Sequence, residues 1–258
     1  MGGVDRLASV TEKLVPVMAA FFLIGGLGVL AMRLQYIPET FGLIFKYAFQ
    51  PQAIIGGGFG IAIKTAVSQG AKRGLFSNEA GMGSTPHAHA LALVKNPHEQ
   101  GCVAMVGVFI DTFIVLTLNA LVIISTLYAG NGPLANGYVG EAANTLKNTN
   151  LAQVAFGVVY GDKAGAVFVA ICLFFFAFST ILGWNLFAKI NVTYLFGKKA
   201  QRPFMLVALV FIFLGTIGES DLVWACSDMF NQLMVIPNAI ALFALTGVVT
   251  KMLGDRDK

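Results

Sequence analysis

From Ala164 to Ala188 the chain carries no charged residue. Crossing the hydrocarbon core of a bilayer as a helix takes about 20 apolar residues, and this run is long enough. Inside lipid no water satisfies a bare N–H or C=O, so such a run must be helical. Similar runs recur at Leu14–Met32, Gly101–Tyr128 (its only charge is Asp111), Pro203–Gly218 and Leu222–Thr250, which holds Asp228. Of all residues 57% are hydrophobic and 12% charged, whereas soluble domains carry roughly a quarter charged residues. The expectation is an all-α integral membrane protein, multi-pass, in the cell membrane and in contact with lipid.

The formal net charge of +4 does not point to nucleic acid, because the lysines and arginines sit between apolar runs, where they orient a membrane protein. With the N-terminus inside, about six spans place Lys95, the Lys198–Arg202 stretch and the basic C-terminus inside. Glu219 and Asp221 then fall outside. Lys64, Lys72 and Arg73 are the exception. Cys102, Cys172 and Cys226 lie within apolar runs without metal-ligand spacing and read as packing residues.

The sixth span is the unusual one. Gly74–Val94 is long enough to cross, yet it contains Asn78, Glu79, Gly81, Gly83, Pro86, His87 and His89. A carboxylate at bilayer depth costs several kcal/mol, and glycines with a proline favour an unwound helix that faces a cavity. A helix broken near residues 76–86, at a transport site, is expected. Thr40–Gln50 and Ala53–Gln69 are short and each holds a lysine, which suits helices in the interface or re-entering. The Gly56-Gly57-Gly58-Phe59-Gly60 run lacks the spacing of a phosphate loop and reads as close packing. Ala129 to Asn150 reads as a polar loop with a short helix at its end. Pro16 is expected in the first turn of its helix and Pro237 as a kink.

KRGLFSNEAGMGSTPHAHA at 72–90 resembles the signature of the alanine or glycine:cation symporter family. VPVMA at 15–19, AFQPQAIIGGGFG at 48–60, GVFIDT at 107–112, FSTILGW at 178–184 and MVIPN at 234–238 resemble it too, in the same order. The resemblance implies a leucine-transporter-like fold of two inverted five-helix repeats. In that plan the chain is one transmembrane domain, 1–258. It holds the last helix of the first repeat and the whole second repeat, without the first helices. The implied activity is sodium-coupled symport of alanine or glycine by alternating access, as part of a longer or split transporter. Sodium is then a coupling ion, and no cofactor or covalent chemistry is needed.

An unwound helix offers N–H groups and carbonyls to a zwitterion. Phe76, Ser77, Asn78, Glu79, Gly81 and Met82 are therefore expected to contact substrate, mostly through backbone. Glu79 either contacts substrate, supports the break as a structural carboxylate that accepts N–H bonds, or is protonated within the bundle. Phe176, Ser179 and Thr180 share one helix face and offer a carbonyl and two hydroxyls, hard oxygens that suit sodium. Such hydroxyls also cap backbone carbonyls in membrane helices. Related transporters place a sodium site here, and the resemblance puts Thr180 and Trp184 on the substrate. His87 and His89, two apart, point about 200° apart on a helix and cannot grip one ion. Asp111 and Asp228 are expected to pair inside the bundle. Two other readings stand beside symport: a truncated, transport-incompetent remnant or scaffold, and a membrane metalloenzyme on His87, His89 and Glu79.

Overall fold

The computed structural model describes residues 4–49, 59–135, 146 and 150–254. Among these the secondary structure is helical throughout. The helices are α1 (Val4–Met32), α2 (Ile37–Phe49), α3 (Phe59–Asn78), α4 (Pro86–His89), α5 (Pro97–Phe109), α6 (Leu116–Leu127), α7 (Leu151–Tyr160), α8 (Asp162–Phe196), α9 (Gln201–Ile217) and α10 (Ser220–Gly254). A π-helical turn, Ile110–Val115, joins α5 to α6. The Gly56–Gly58 run and most of the Ala129–Asn150 loop lie outside the described residues.

Among the described residues five segments are long and apolar enough to cross a membrane: Ser9–Met32, Pro97–Leu127, Asp162–Phe196, Lys198–Ile217 and Ser220–Met252. The expected sixth crossing, Gly74–Val94, is not a single helix. It consists of the end of α3, an irregular turn, and the four residues of α4. α3 reaches back to Phe59, so part of the stretch expected to lie in the interface is continuous with it. Pro16 falls inside α1, because the helix begins at Val4. Its ring leaves the Glu12 carbonyl without a helical donor. α10 continues through Pro237.

The described chain gathers into two compact units, Met1–Ala66 with Ile110–Ala188, and Val67–Phe109 with Lys189–Lys258. The first holds the main apolar core, built from Val29 and Leu30 of α1, Leu118, Leu121 and Val122 of α6, Phe156 of α7 and Val169 of α8. Backbones approach closely here because small residues allow it. A Cβ on Gly25 would lie 2.1 Å from Phe168 Cζ, and the Tyr160 hydroxyl donates to the Gly25 carbonyl at 2.8 Å. The Arg33 guanidinium closes the C-terminal end of α6. Its Nε donates to the Ser125 carbonyl at 3.0 Å, and the group reaches the Ala129 carbonyl as well. Glu39 accepts from the Gly130 N–H at 3.1 Å. Helix ends leave carbonyls without intrahelical partners, and Arg33 supplies donors for them.

In the second unit α9 and α10 keep their apolar side chains on the outside, among them Leu206, Phe211, Phe213, Ile240 and Phe243. In a soluble protein such surface would be a liability.

Candidate functional site: a broken helix tied to its neighbour

α3 stops at Asn78 because the next residues leave helical backbone space. Glu79 has φ +55°, Gly81 φ +97° and Gly83 φ +80°. The left-handed region costs an L-residue about 1–2 kcal/mol, so Glu79 holds it only because its surroundings impose it. The Asn78 side chain accepts from the Ala80 N–H at 3.0 Å, a local turn that competes with the helix. The Met82 N–H reaches the Glu79 carbonyl at 3.2 Å. Ser84 donates its hydroxyl to Glu79 Oε2 at 2.5 Å, a hydrogen bond across the break. Met82 and Ser84 are almost fully buried. Glu79 therefore braces the unwound segment from within. α4 then starts on Pro86, whose missing N–H is an orphan at a helix start in any case.

α10 holds this segment from outside. Asn238 Nδ2 donates to the Gly81 carbonyl at 2.9 Å. A Cβ on Gly83 would lie 2.9 Å from Asn238 Oδ1, so glycine is required there for both backbone angle and space. The His87 ring donates from Nδ1 to the Ser84 carbonyl at 2.8 Å, while its Nε2 lies 3.1 Å from the Asn191 side chain. His89 pairs instead with Gln100 at 2.7 Å. The two histidines thus have separate partners. Among the described residues no group of three or more His, Cys, Asp or Glu could hold a metal ion.

Toward the start of α10 the same two helices meet through charge. Asp228, with 10% side-chain exposure, pairs with Lys72 Nζ at 2.5 Å and with Arg73 Nη1 at 3.2 Å. Arg73 also lies 5.4 Å from the Trp224 ring centroid, and Trp224 stands edge-on to Phe76 at 5.8 Å. Between the charges and the break lies a cavity of about 20 Å³, lined by Phe76, Met82, Asp228 and Asn231 among others.

The expected residues Phe76, Ser77 and Asn78 form the last turn of α3, and Glu79, Gly81 and Met82 lie in the break itself. All six belong to the second unit. Phe176, Ser179, Thr180 and Trp184 lie on α8 in the first unit. There the Ser179 hydroxyl donates to the Phe176 carbonyl at 3.0 Å and also approaches Met18 Sδ at 3.6 Å. Two of the three expected sodium oxygens are therefore adjacent, in the arrangement that carbonyl capping produces as well. Trp184 packs against Phe187 at 6.1 Å.

From the sequence Asn238 stands out only as part of the MVIPN motif, Ser84 has no expected partner, and Asp228 is expected to pair inside the bundle without Lys72 or Arg73 being marked as its partners. The signal for Asp228 was present: Lys72 and Arg73 broke the charge pattern of the loops. Their partner is a carboxylate 155 residues away in sequence.

A profile of the sodium:alanine symporter family matches residues 1–258. The chain belongs to that family. Its members are transporters, not enzymes, and the chain is a multi-pass membrane protein of the cell membrane. It is 39% identical over 250 residues to the sodium/alanine symporter AgcS of Methanococcus maripaludis, covering 96% of this chain and 52% of that one. It is 36% identical over 256 residues to a sodium/proton-dependent alanine carrier protein of Bacillus sp. strain PS3, covering 95% and 55%. An uncharacterized transporter of Haemophilus influenzae is 40% identical over 255 residues, covering 98% and 50%. The chain therefore spans about half the length of the curated relatives it matches. No solved structure matches it significantly.

Proposed function

We propose that this chain forms the substrate-binding part of a secondary transporter that carries alanine or glycine together with sodium by alternating access. It acts with the half of its relatives that this sequence does not cover. The observation that carries the reading is the Glu79–Thr85 break, braced by Ser84 and Asn238 and set in a chain of this family. An unwound segment at bilayer depth leaves backbone donors and acceptors available to a zwitterion, and helix ends bias where its charges settle. In this reading Phe76, Ser77, Asn78, Glu79, Gly81 and Met82 contact substrate with Thr180 and Trp184. Phe176, Ser179 and Thr180 take sodium. The rings of Phe76 and Trp184 favour a small side chain. Residues 1–258 are then one domain of a leucine-transporter-like bundle, the last helix of one repeat and all of the next. The relatives' names, a sodium/alanine symporter and a sodium/proton-dependent alanine carrier, support the substrate and the ion.

The test joins the chain to the complementary half of the Methanococcus maripaludis relative and reconstitutes the product in vesicles. An inward sodium gradient should drive accumulation of labelled alanine, and dissipating the gradient should abolish it. Folded protein that accumulates no alanine under the gradient ends the reading.

A further inference from the structure

The connection between α8 and α9 is a turn tied at both ends. Gly197 follows α8 with φ +77°, the left-handed conformation that glycine adopts without steric cost. Its N–H donates to the Thr193 carbonyl at 3.0 Å. One 3-10 helical turn, Lys198–Ala200, then leads into α9. Gln201 Nε2 donates back to the Thr193 hydroxyl oxygen, and that hydroxyl donates to the Lys189 carbonyl at 2.6 Å. Side chains as well as backbone therefore join the end of one helix to the start of the next.

The turn presents basic and apolar groups together. From Lys163 to Gly218 there are five basic residues and no acidic one. Lys198, Lys199 and Arg202 stand on the turn and are exposed. Among the described residues none of the three forms an ion pair, whereas Lys72 and Arg73 share Asp228. Just before them, Tyr194, Leu195 and Phe196 are 88%, 66% and 72% exposed. Like charges held on one turn repel one another, and more strongly where the surroundings are less polar than water.

Both flanking helices place this turn at a membrane boundary. The uncharged part of α8, Ala164–Ala188, is long enough to cross by itself, and α9 carries no charge from Pro203 onward. A soluble anion would neutralise the cations and leave Tyr194, Leu195 and Phe196 in water. An anionic phospholipid meets both needs, with its phosphate at the cations and its acyl chains along the apolar side chains. Orienting a membrane protein takes only cations in a loop. Neither the tied turn nor the apolar row beside it serves that purpose.

We propose that the α8–α9 turn binds an anionic phospholipid of the surrounding bilayer. Lys198, Lys199 and Arg202 hold its phosphate, and Tyr194, Leu195 and Phe196 hold its acyl chains. The test places a photoreactive group there by Tyr194→benzoylphenylalanine. The full chain is reconstituted in phosphatidylcholine vesicles with a minor share of phosphatidylglycerol and irradiated, and the mass of the adduct identifies the captured lipid. Phosphatidylglycerol should be enriched about tenfold or more over its share of the bilayer. Lys198→Gln, Lys199→Gln and Arg202→Gln should each lower the enrichment severalfold, and all three together should abolish it. The same group placed by Leu222→benzoylphenylalanine, beside Glu219 and Asp221, should show no enrichment.

Circular dichroism checks that each variant keeps its helical content, and the single substitutions carry the test if the triple variant does not fold. Capture of the two lipids in proportion to their shares would overturn the assignment, as would enrichment that survives in the triple variant or recurs at position 222. Loss of enrichment on adding inorganic phosphate at constant ionic strength would make the turn a site for a soluble anion instead. In the joined protein, capture of the complementary half in place of lipid would make it a protein interface. Either result also ends the lipid assignment.

Discussion

At the scale of single residues, the break depends on positions that cannot be exchanged by class. Gly83 combines φ +80° with an Asn238 side chain 2.9 Å from where a Cβ would stand. Gly83→Ala should cost about 1–2 kcal/mol and lower the midpoint of thermal unfolding in detergent, followed by circular dichroism. Gly215→Ala on α9 is the control, because among the described residues nothing lies within 4 Å of its Cβ position. It should leave the midpoint unchanged or raise it slightly, since alanine is the better helix former. Ser84→Ala removes the hydroxyl that serves Glu79 in a buried site and should cost about 1–3 kcal/mol. A midpoint equal to that of the parent would remove Glu79 from its bracing role. That glycines would be needed in this stretch was legible from the residues alone. Which of them meets Asn238 was not, because that contact joins positions 155 residues apart.

At the scale of elements, helix existence followed from apolar runs, while helix ends followed from neighbours. α1 begins at Val4 rather than Leu14 and takes Pro16 into its interior. The uncharged run has no means of marking that extension, because the added residues carry Asp5, Arg6, Glu12 and Lys13 among Val4, Leu7 and Val10. The π turn at Ile110–Val115 was equally invisible. It places Asp111 in a segment wound with one residue more per turn, a device often found at functional sites. The closure of α6 is a tertiary device too. Arg33→Met should cost about 1.5–3 kcal/mol, the range for a hydrogen bond to a charged group. Amide hydrogen exchange should then rise from Ile124 to Gly132, where the carbonyls lose their donor, and remain unchanged in α9. Uniform protection in both would show that water serves those carbonyls equally well.

For the whole molecule, the symport reading predicts a graded response. Trp184→Ala and Thr180→Ala should weaken alanine binding by roughly tenfold or more, about 1.4 kcal/mol. Val108→Ala and Leu209→Ala, on α5 and α9, should change it little. Isothermal titration of the joined protein with alanine in sodium buffer measures all four, and equal losses would remove the assignment of Thr180 and Trp184.

Membrane residence, helical class and the position of the break were determined by sequence alone. Each follows from local constraints: an uncharged run must satisfy its own backbone in lipid, and glycines with a proline weaken one stretch of it. The tertiary structure alone decided what the polar residues do. Ser84 finds Glu79, Asn238 finds Gly81, and Lys72 and Arg73 find Asp228. A buried charge or amide is stable only with a partner, and a linear sequence shows the need for that partner without showing where in the chain it lies.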